Sequence, residues 1–254
     1  MFPDHLDAHK NIKEYINAKA NIARFQKKED KVFYFETNKY SKWIAHEESE
    51  KKISVTAKDG ENYLHKLKIL GAHNAMNAAI AAKVSKSLGI SQKIIDDVIS
   101  NYKGLEHRLE LVRVLHKIYF YNDSGSTNPQ TTIAAIKSFE TPLVPIIGGK
   151  DKNLDYKDLK KVIINSKVVA IVLVGENKNK IAKSIEGITV PVLHTTNFEE
   201  AIREAARAAH EIKREHGFAL INVVLTPGST SFDLFQNYKE RGKAFKKIVK
   251  SLKD

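Results

Sequence analysis

Cysteine is absent from the 254 residues, which removes disulfide staples and thiolate metal sites. No run of about 18 apolar residues occurs, so the sequence predicts no bilayer-spanning helix. The opening MFPDHLDAHK has neither the basic nor the apolar region of a secretory signal. No G-x-x-x-x-G-K-[ST] phosphate loop occurs anywhere in the chain. Aromatic residues are not interleaved with basic ones as base-stacking platforms require, which argues against a nucleic-acid binder. These absences lead us to expect a soluble cytoplasmic protein with neither membrane nor nucleic acid as partner. What is abundant is positive charge: 42 Lys and Arg against 30 Asp and Glu give a formal +12. Such a balance favours acidic partners, for example nucleotides or phosphorylated substrates. A lysine-coated surface without a ligand is the plainer alternative.

The length suits one large or two modest domains, and the stretch 104–129 reads as the joint. Two alternating runs, Leu109–Leu115 and Ile118–Tyr121, flank a His116–Lys117 break and predict a β-hairpin. The polar knot Gly104–Arg108 precedes it. The loop Asn122–Pro129 follows and opens a helix capped by Asn128, with Pro129 in its first turn. Polar groups on both sides of such a joint can meet in a cleft. Beyond it, Leu143–Ile147, Val168–Val174, Val190–Leu193 and Phe218–Leu225 are β-branched apolar runs of the kind found in buried parallel strands. Helices fill the gaps, the clearest being Phe198–His216. The alternation predicts a doubly wound α/β domain with its site at the strands' C-terminal ends. The polar loops Asn122–Asn128, Gly148–Lys152 and Thr226–Ser231 all fall there.

The first hundred residues are less regular. Asn11 to Gln26 predicts a helix with Ile12, Tyr15, Ile16 and Ala23 on one stripe, and Lys19 falls on the same stripe. A lysine so placed ordinarily snorkels. Residues 30–70 read as short strands, Val32–Phe35, Lys52–Ala57 and Tyr63–Leu70, separated by charged or Asp59-Gly60 turns. His73 to Leu88 predicts an alanine-rich helix stopped by Gly89. On it Asn74 and Asn77 share a face; their primary amides offer the donor and acceptor an adenine edge requires, or simply cap the helix. Ser91 caps a further helix to about Tyr102. Near the other end, Thr226–Ser231 leads toward the last helix, where free N–H groups suit an anion, with a plain N-cap as the alternative for Ser231. The Lys239–Lys250 cluster reads as a solvated helix face.

Six motifs occur in one order along the chain: Asp4-His5-Leu6-Asp7, Gly71-Ala72-His73-Asn74-Ala75-Met76-Asn77-Ala78, Gly104-Leu105-Glu106-His107-Arg108-Leu109-Glu110, Asn122-Asp123-Ser124-Gly125-Ser126-Thr127-Asn128-Pro129, Gly148-Gly149-Lys150-Asp151-Lys152 and Ser231-Phe232-Asp233-Leu234-Phe235-Gln236-Asn237-Tyr238. Together they resemble the Mur ligases, and most of all the members that add D-glutamate to UDP-N-acetylmuramoyl-L-alanine using ATP and Mg²⁺. The resemblance implies an α/β architecture in two parts. Residues 1–105 would be the second half of a central ATPase-type domain, and 106–254 a doubly wound, Rossmann-like C-terminal domain that receives D-glutamate. It also implies a monomer when full length. By the same resemblance His5 and Lys19 are catalytic metal ligands, Lys19 as its carbamate. Asn74 and Asn77 face adenine, Arg108 a nucleotide phosphate, and Asp123 the ribose or its surroundings. Thr127, Lys152, Ser231, Phe232 and Tyr238 attend the D-glutamate side, while His107 shapes the joint. Two departures stand out. Gly125 replaces a lysine common in the family, and no phosphate loop precedes Asp4. The expectation is a ligase fragment inactive by itself; the alternative is a non-catalytic nucleotide- or amino-acid-binding module.

Overall fold

The computed structural model describes residues 9–48 and 50–253; His5 and its motif lie outside them. The chain divides into two compact units, Met1–Lys103 and Gly104–Asp254.

In the first unit, helix α1 (Ile12–Arg24) starts at Asn11, whose side chain accepts from the Glu14 N–H. It buries Ile16, Ala20 and Ala23. Strands β1 (Val32–Phe35) and β2 (Lys52–Val55) pair in parallel on either side of helix α2 (Lys39–Glu48). Helices α3 (Ala57–Leu64), α4 (Ala72–Ser87) and α5 (Gln92–Asn101) complete the unit. The sequence expectation failed over two stretches. Lys39–Glu48 is helical, entered through Asn38, whose Oδ1 accepts from the Ser41 N–H at 3.0 Å. The expected Asp59-Gly60 turn and the start of the expected strand Tyr63–Leu70 belong to α3. Thr56 and Asp59 form a reciprocal capping box there, a local helix-start signal that outweighs the turn preference of Asp-Gly. Gly60 serves packing, since a Cβ on it would lie 2.7 Å from Met76 Sδ of α4.

The second unit opens with β3 (Glu110–Leu115) and β4 (Ile118–Asn122), an antiparallel hairpin. Its turn residues His116 (φ 49°) and Lys117 (φ 62°) are both left-handed, the geometry that matches the twist of two-residue hairpins. Helix α6 (Pro129–Ile136) follows, with the Asn128 cap expected from sequence. Then come β5 (Leu143–Ile147), α7 (Lys157–Ile164), β6 (Ile171–Leu173), α8 (Lys178–Ser184), β7 (Val192–His194), α9 (Phe198–His216), β8 (Ile221–Leu225) and α10 (Tyr238–Ser251). The sheet order is β3-β4-β8-β5-β6-β7, with every pairing parallel except β3–β4. The core gathers Phe120, Val144, Ile146, Val172, Ile202, Val223, Phe245 and Val249 between sheet and helices. This is the doubly wound, Rossmann-like α/β arrangement expected. Because β8 inserts between β4 and β5, the three loops leaving those strands stand side by side at one sheet edge.

Candidate functional site

That edge is stitched by the backbone. Asp123 N–H donates to Leu225 O at 2.8 Å, Gly148 N–H to Pro227 O at 2.9 Å, Lys150 N–H to Thr230 O at 2.9 Å and Gly228 N–H to Ser126 O at 3.0 Å. Gly149 permits a close approach of the β5 and β8 loops. Its φ is 159°, and a Cβ there would meet Thr230 O at 2.4 Å and Arg241 Nη1 at 3.1 Å. Side chains add a buried polar network. Asn177 Oδ1 accepts from the Gly149 N–H at 2.9 Å, and its Nδ2 donates to Tyr156 Oη at 2.8 Å and Ser229 Oγ at 2.5 Å. Tyr156 Oη in turn donates to Gly228 O at 3.1 Å; burial pushes that phenol up to about 12, so it remains a donor at neutral pH.

Asp123 is 3% exposed. One oxygen accepts from the Leu109 N–H at 3.2 Å, the other from Thr226 Oγ1 at 3.1 Å and from Ser126 Oγ. Burial raises its carboxyl to about 6, against the opposing pull of those donors. The carboxylate thus faces inward and joins the β4 and β8 loops. Arg108 is exposed, and its Nε would lie 2.9 Å from a Cβ on residue 125. The glycine there leaves room for this arginine. A lysine at 125 would have to displace Arg108 or the His107 carbonyl, which is equally close at 2.9 Å. His107 is buried. Asn122 Nδ2 donates to its Nδ1 at 2.9 Å, while Nε2 has no hydrogen-bond partner among the described residues and lies 3.8 Å from Glu106 Oε1. Burial lowers its pKa, opposed by Glu106 and Glu110.

Around the rim, the Lys152 ammonium sits 5.7 Å from the Phe232 ring centroid. Ser231 is 2% exposed, and its Oγ, like Thr230 Oγ1, has no hydrogen-bond partner among the described residues. Ser231 is not the cap of the last helix. That place belongs to Asn237, which accepts from the Glu240 N–H, while the Ser231 carbonyl accepts from Leu234 and Phe235 N–H. Tyr238 begins α10, with its carbonyl bound by Ser124 Oγ at 2.7 Å and its ring edge-on to His107 at 6.0 Å. Thr127 is half-buried on the β4 loop.

The remaining candidates lie in the first unit. Asn77 Nδ2 reaches Asn74 Oδ1 at 3.5 Å, and Asn74 Nδ2 donates to Leu70 O at 2.7 Å. Gly71 occupies the N-cap of α4, so neither amide is the helix cap. Lys19 lies off the buried stripe on which the sequence spacing places it. It is exposed, with its ammonium 5.6 Å from the Tyr15 ring. Ala20 rather than Lys19 completes the stripe with Ile16 and Ala23, which rotates the lysine outward. Among the described residues, three metal-type ligands converge only at Glu106, His107 and Glu110. There Lys246 already binds Glu106 at 2.9 Å and Glu110 at 2.6 Å.

Sequence reasoning missed Tyr156, Asn177 and above all Arg241, which it left within a solvated lysine cluster. Arg241 is 2% exposed. Its signal was present in the spacing: Arg241, Phe245 and Val249 recur at i, i+4 and i+8, and the last two are fully buried.

Comparison with known proteins gives matching results. The Mur ligase glutamate ligase domain matches residues 107–229, and the Mur ligase middle domain matches residues 1–62. The UDP-N-acetylmuramoylalanine–D-glutamate ligase of Caldanaerobacter subterraneus is 33% identical over 99% of this chain and 58% of its own length. The enzyme of the same name from Acetivibrio thermocellus is 34% identical over 98% and 58%. This chain therefore spans 58% of the length of these relatives. Among solved structures, MurF from Acinetobacter baumannii superposes with a TM-score of 0.67 at 16% identity, covering 96% of this chain and 57% of that one. The Thermotoga maritima UDP-N-acetylmuramate-alanine ligase gives 0.62 at 16%, covering 98% and 58%. At such identities these two structures speak for the fold alone. Matched in sequence along both units and in fold to ligases of this kind, the chain belongs to the Mur ligase family.

Proposed function

We propose that the chain supplies the acceptor side of a cytoplasmic, ATP-dependent ligase that joins D-glutamate to UDP-N-acetylmuramoyl-L-alanine in peptidoglycan precursor synthesis. The observation that carries this reading is the loop edge after β4, β8 and β5. There the Lys152 ammonium lies over Phe232 beside a loop whose buried Ser231 hydroxyl has no hydrogen-bond partner among the described residues. A small amino acid with two carboxylates suits that combination of cation, hydroxyl and ring face. Thr127 and Tyr238 flank it. Arg108, exposed above Gly125, suits a nucleotide phosphate, and the paired amides of Asn74 and Asn77 suit an adenine edge. Asp123 contributes by fixing the loop beside Arg108.

The reaction transfers the γ-phosphoryl group of ATP to the substrate carboxylate. The amine of D-glutamate then attacks the acyl phosphate, and phosphate leaves as the amide forms. Positioning and charge neutralisation dominate such transfers, and Mg²⁺ would supply part of that neutralisation. Lys19, as its carbamate, and His5 would hold the metal. The 254 residues contain no phosphate loop, whose loss costs about 10²–10³ in rate for even one comparable donor. The chain alone is accordingly expected to release no phosphate from ATP in the presence of both substrates. Activity should appear when a polypeptide carrying the phosphate loop of a relative is added. Turnover by the chain alone at the rate of a full-length relative would overturn the proposal. D-Glutamate binding that never yields turnover in the mixture would favour a non-catalytic amino-acid-binding module.

A further inference from the structure

Arg241 projects from the first turn of α10 into the space enclosed by the three loops. Its Nε donates to Ser124 Oγ at 3.0 Å, and its Nη2 to Ser124 O at 2.9 Å and Ser229 O at 3.0 Å. Its Nη1 has no partner among the described residues and lies where only a glycine fits at position 149. No carboxylate within ion-pair distance neutralises it among the described residues; Asp123 and Asp233 act on it from farther away. A buried, incompletely paired guanidinium is costly, and at 2% exposure it is not there for solubility. Its planar fork is suited to hold several carbonyls at fixed spacing.

We infer that Arg241 is a positioning residue for the acceptor loops. It sets the spacing of the β4 loop at Ser124 against the β8 loop at Ser229, and it packs beneath the β5 loop at Gly149. Ser229 passes this constraint on through Tyr156 and Asn177, and Asn177 returns it to the Gly149 N–H. One side chain thereby holds the rim on which Thr127, Lys152 and Ser231 stand. The name acceptor loops rests on the proposed function; the positioning role does not.

Amide hydrogen exchange of the whole chain and of Arg241→Lys and Arg241→Met tests it. Four amides report the joints between loops: Asp123, Gly148, Lys150 and Gly228. In Arg241→Met they should exchange about tenfold faster or more, with smaller changes in the centres of β5 and β6, as local opening requires. Arg241→Lys should fall between, since one ammonium reaches one loop but not both. Unchanged exchange at all four amides in the lysine variant and in any folded methionine variant would overturn the inference. So would a rise in exchange that is equal across loops and core, which would mark plain packing. D-Glutamate is added separately: slower exchange at these amides in the wild type supports the functional reading. No response to D-glutamate would remove that reading while leaving the positioning role to stand on the exchange of the variants.

Discussion

The two units solve the problem of a parallel sheet differently. The second carries six strands with helices on both faces, and β5, β6 and β8 are buried at every residue. The first has only β1 and β2 in parallel, and its buried apolar residues fall into small groups, one around Ile16, Val32 and Ile44 and another around Ala78, Ile95 and Ile99. It leaves Ile22 at 73%, Phe25 at 82%, Ile94 at 56% and Val98 at 61% exposure. Parallel strands are stable when both faces are covered, and a two-stranded sheet does little of that by itself. The difference teaches that the second unit gathers one large core around its sheet, whereas the first, among its described residues, divides its buried apolar residues between smaller clusters.

The strongest way to break this comparison is to separate the units. Residues 104–254 produced alone should unfold cooperatively on heating, monitored by circular dichroism, with a midpoint close to that of the second unit in the whole chain. Residues 1–103 alone should give a broad, weakly cooperative trace. Cooperative unfolding of both pieces would contradict the account. Next in size is Phe245→Ala. Phe245 is fully buried between α10 and the sheet, so its truncation should cost about 3–5 kcal/mol in the second unit's chemical denaturation. Protection of amides in α1 should stay unchanged.

Asp123 sharpens the comparison through pH. Its carboxyl is raised from 3.8 to about 6 in the folded chain, so between those values the folded state holds the extra proton. Stability contributed by this group therefore falls as pH rises from 3.8 to 6 and is level above that, a change of about 3 kcal/mol. Paired carboxylates such as Glu106 and Asp151 are lowered instead, and they give the opposite slope at lower pH. The difference in stability between wild type and Asp123→Asn should accordingly shift across pH 4–6. A constant difference across that window would contradict the burial-driven shift. The smallest effect expected is Asn128→Ala. Loss of the α6 cap at 3.1 Å to the Thr131 N–H should cost about 1 kcal/mol, confined to the second unit.

The sequence was most legible where periodicity and burial coincide. Leu143–Ile147 and Phe198–His216 were bounded to the residue because apolar spacing there is uninterrupted, and the hairpin turn followed from His116-Lys117 between alternating runs. It was least legible where a local signal had two readings. Asp59-Gly60 suggests a turn until Thr56 is paired with Asp59 as a capping box and Gly60 with Met76. Lys19 and Arg241 erred in opposite directions. Lys19 stands just off the stripe of Ile16, Ala20 and Ala23, whereas Arg241 lies on the stripe of Phe245 and Val249, where its charge and not its spacing suggested solvent. The loop edge was legible as a location because strand ends are readable. Its internal ties were not, because Tyr156, Asn177 and Ser229 meet across 21 to 73 residues of chain.

The central claim is that the acceptor edge resides in the second unit's loops and needs no phosphate loop to receive the amino acid. Isotope-labelled chain titrated with D-glutamate, followed by amide resonances, tests this most directly. The account predicts shifts concentrated at residues 124–128, 148–152 and 228–232, weaker with L-glutamate and absent from α1 and α4. Shifts elsewhere, or none at millimolar D-glutamate, would contradict it.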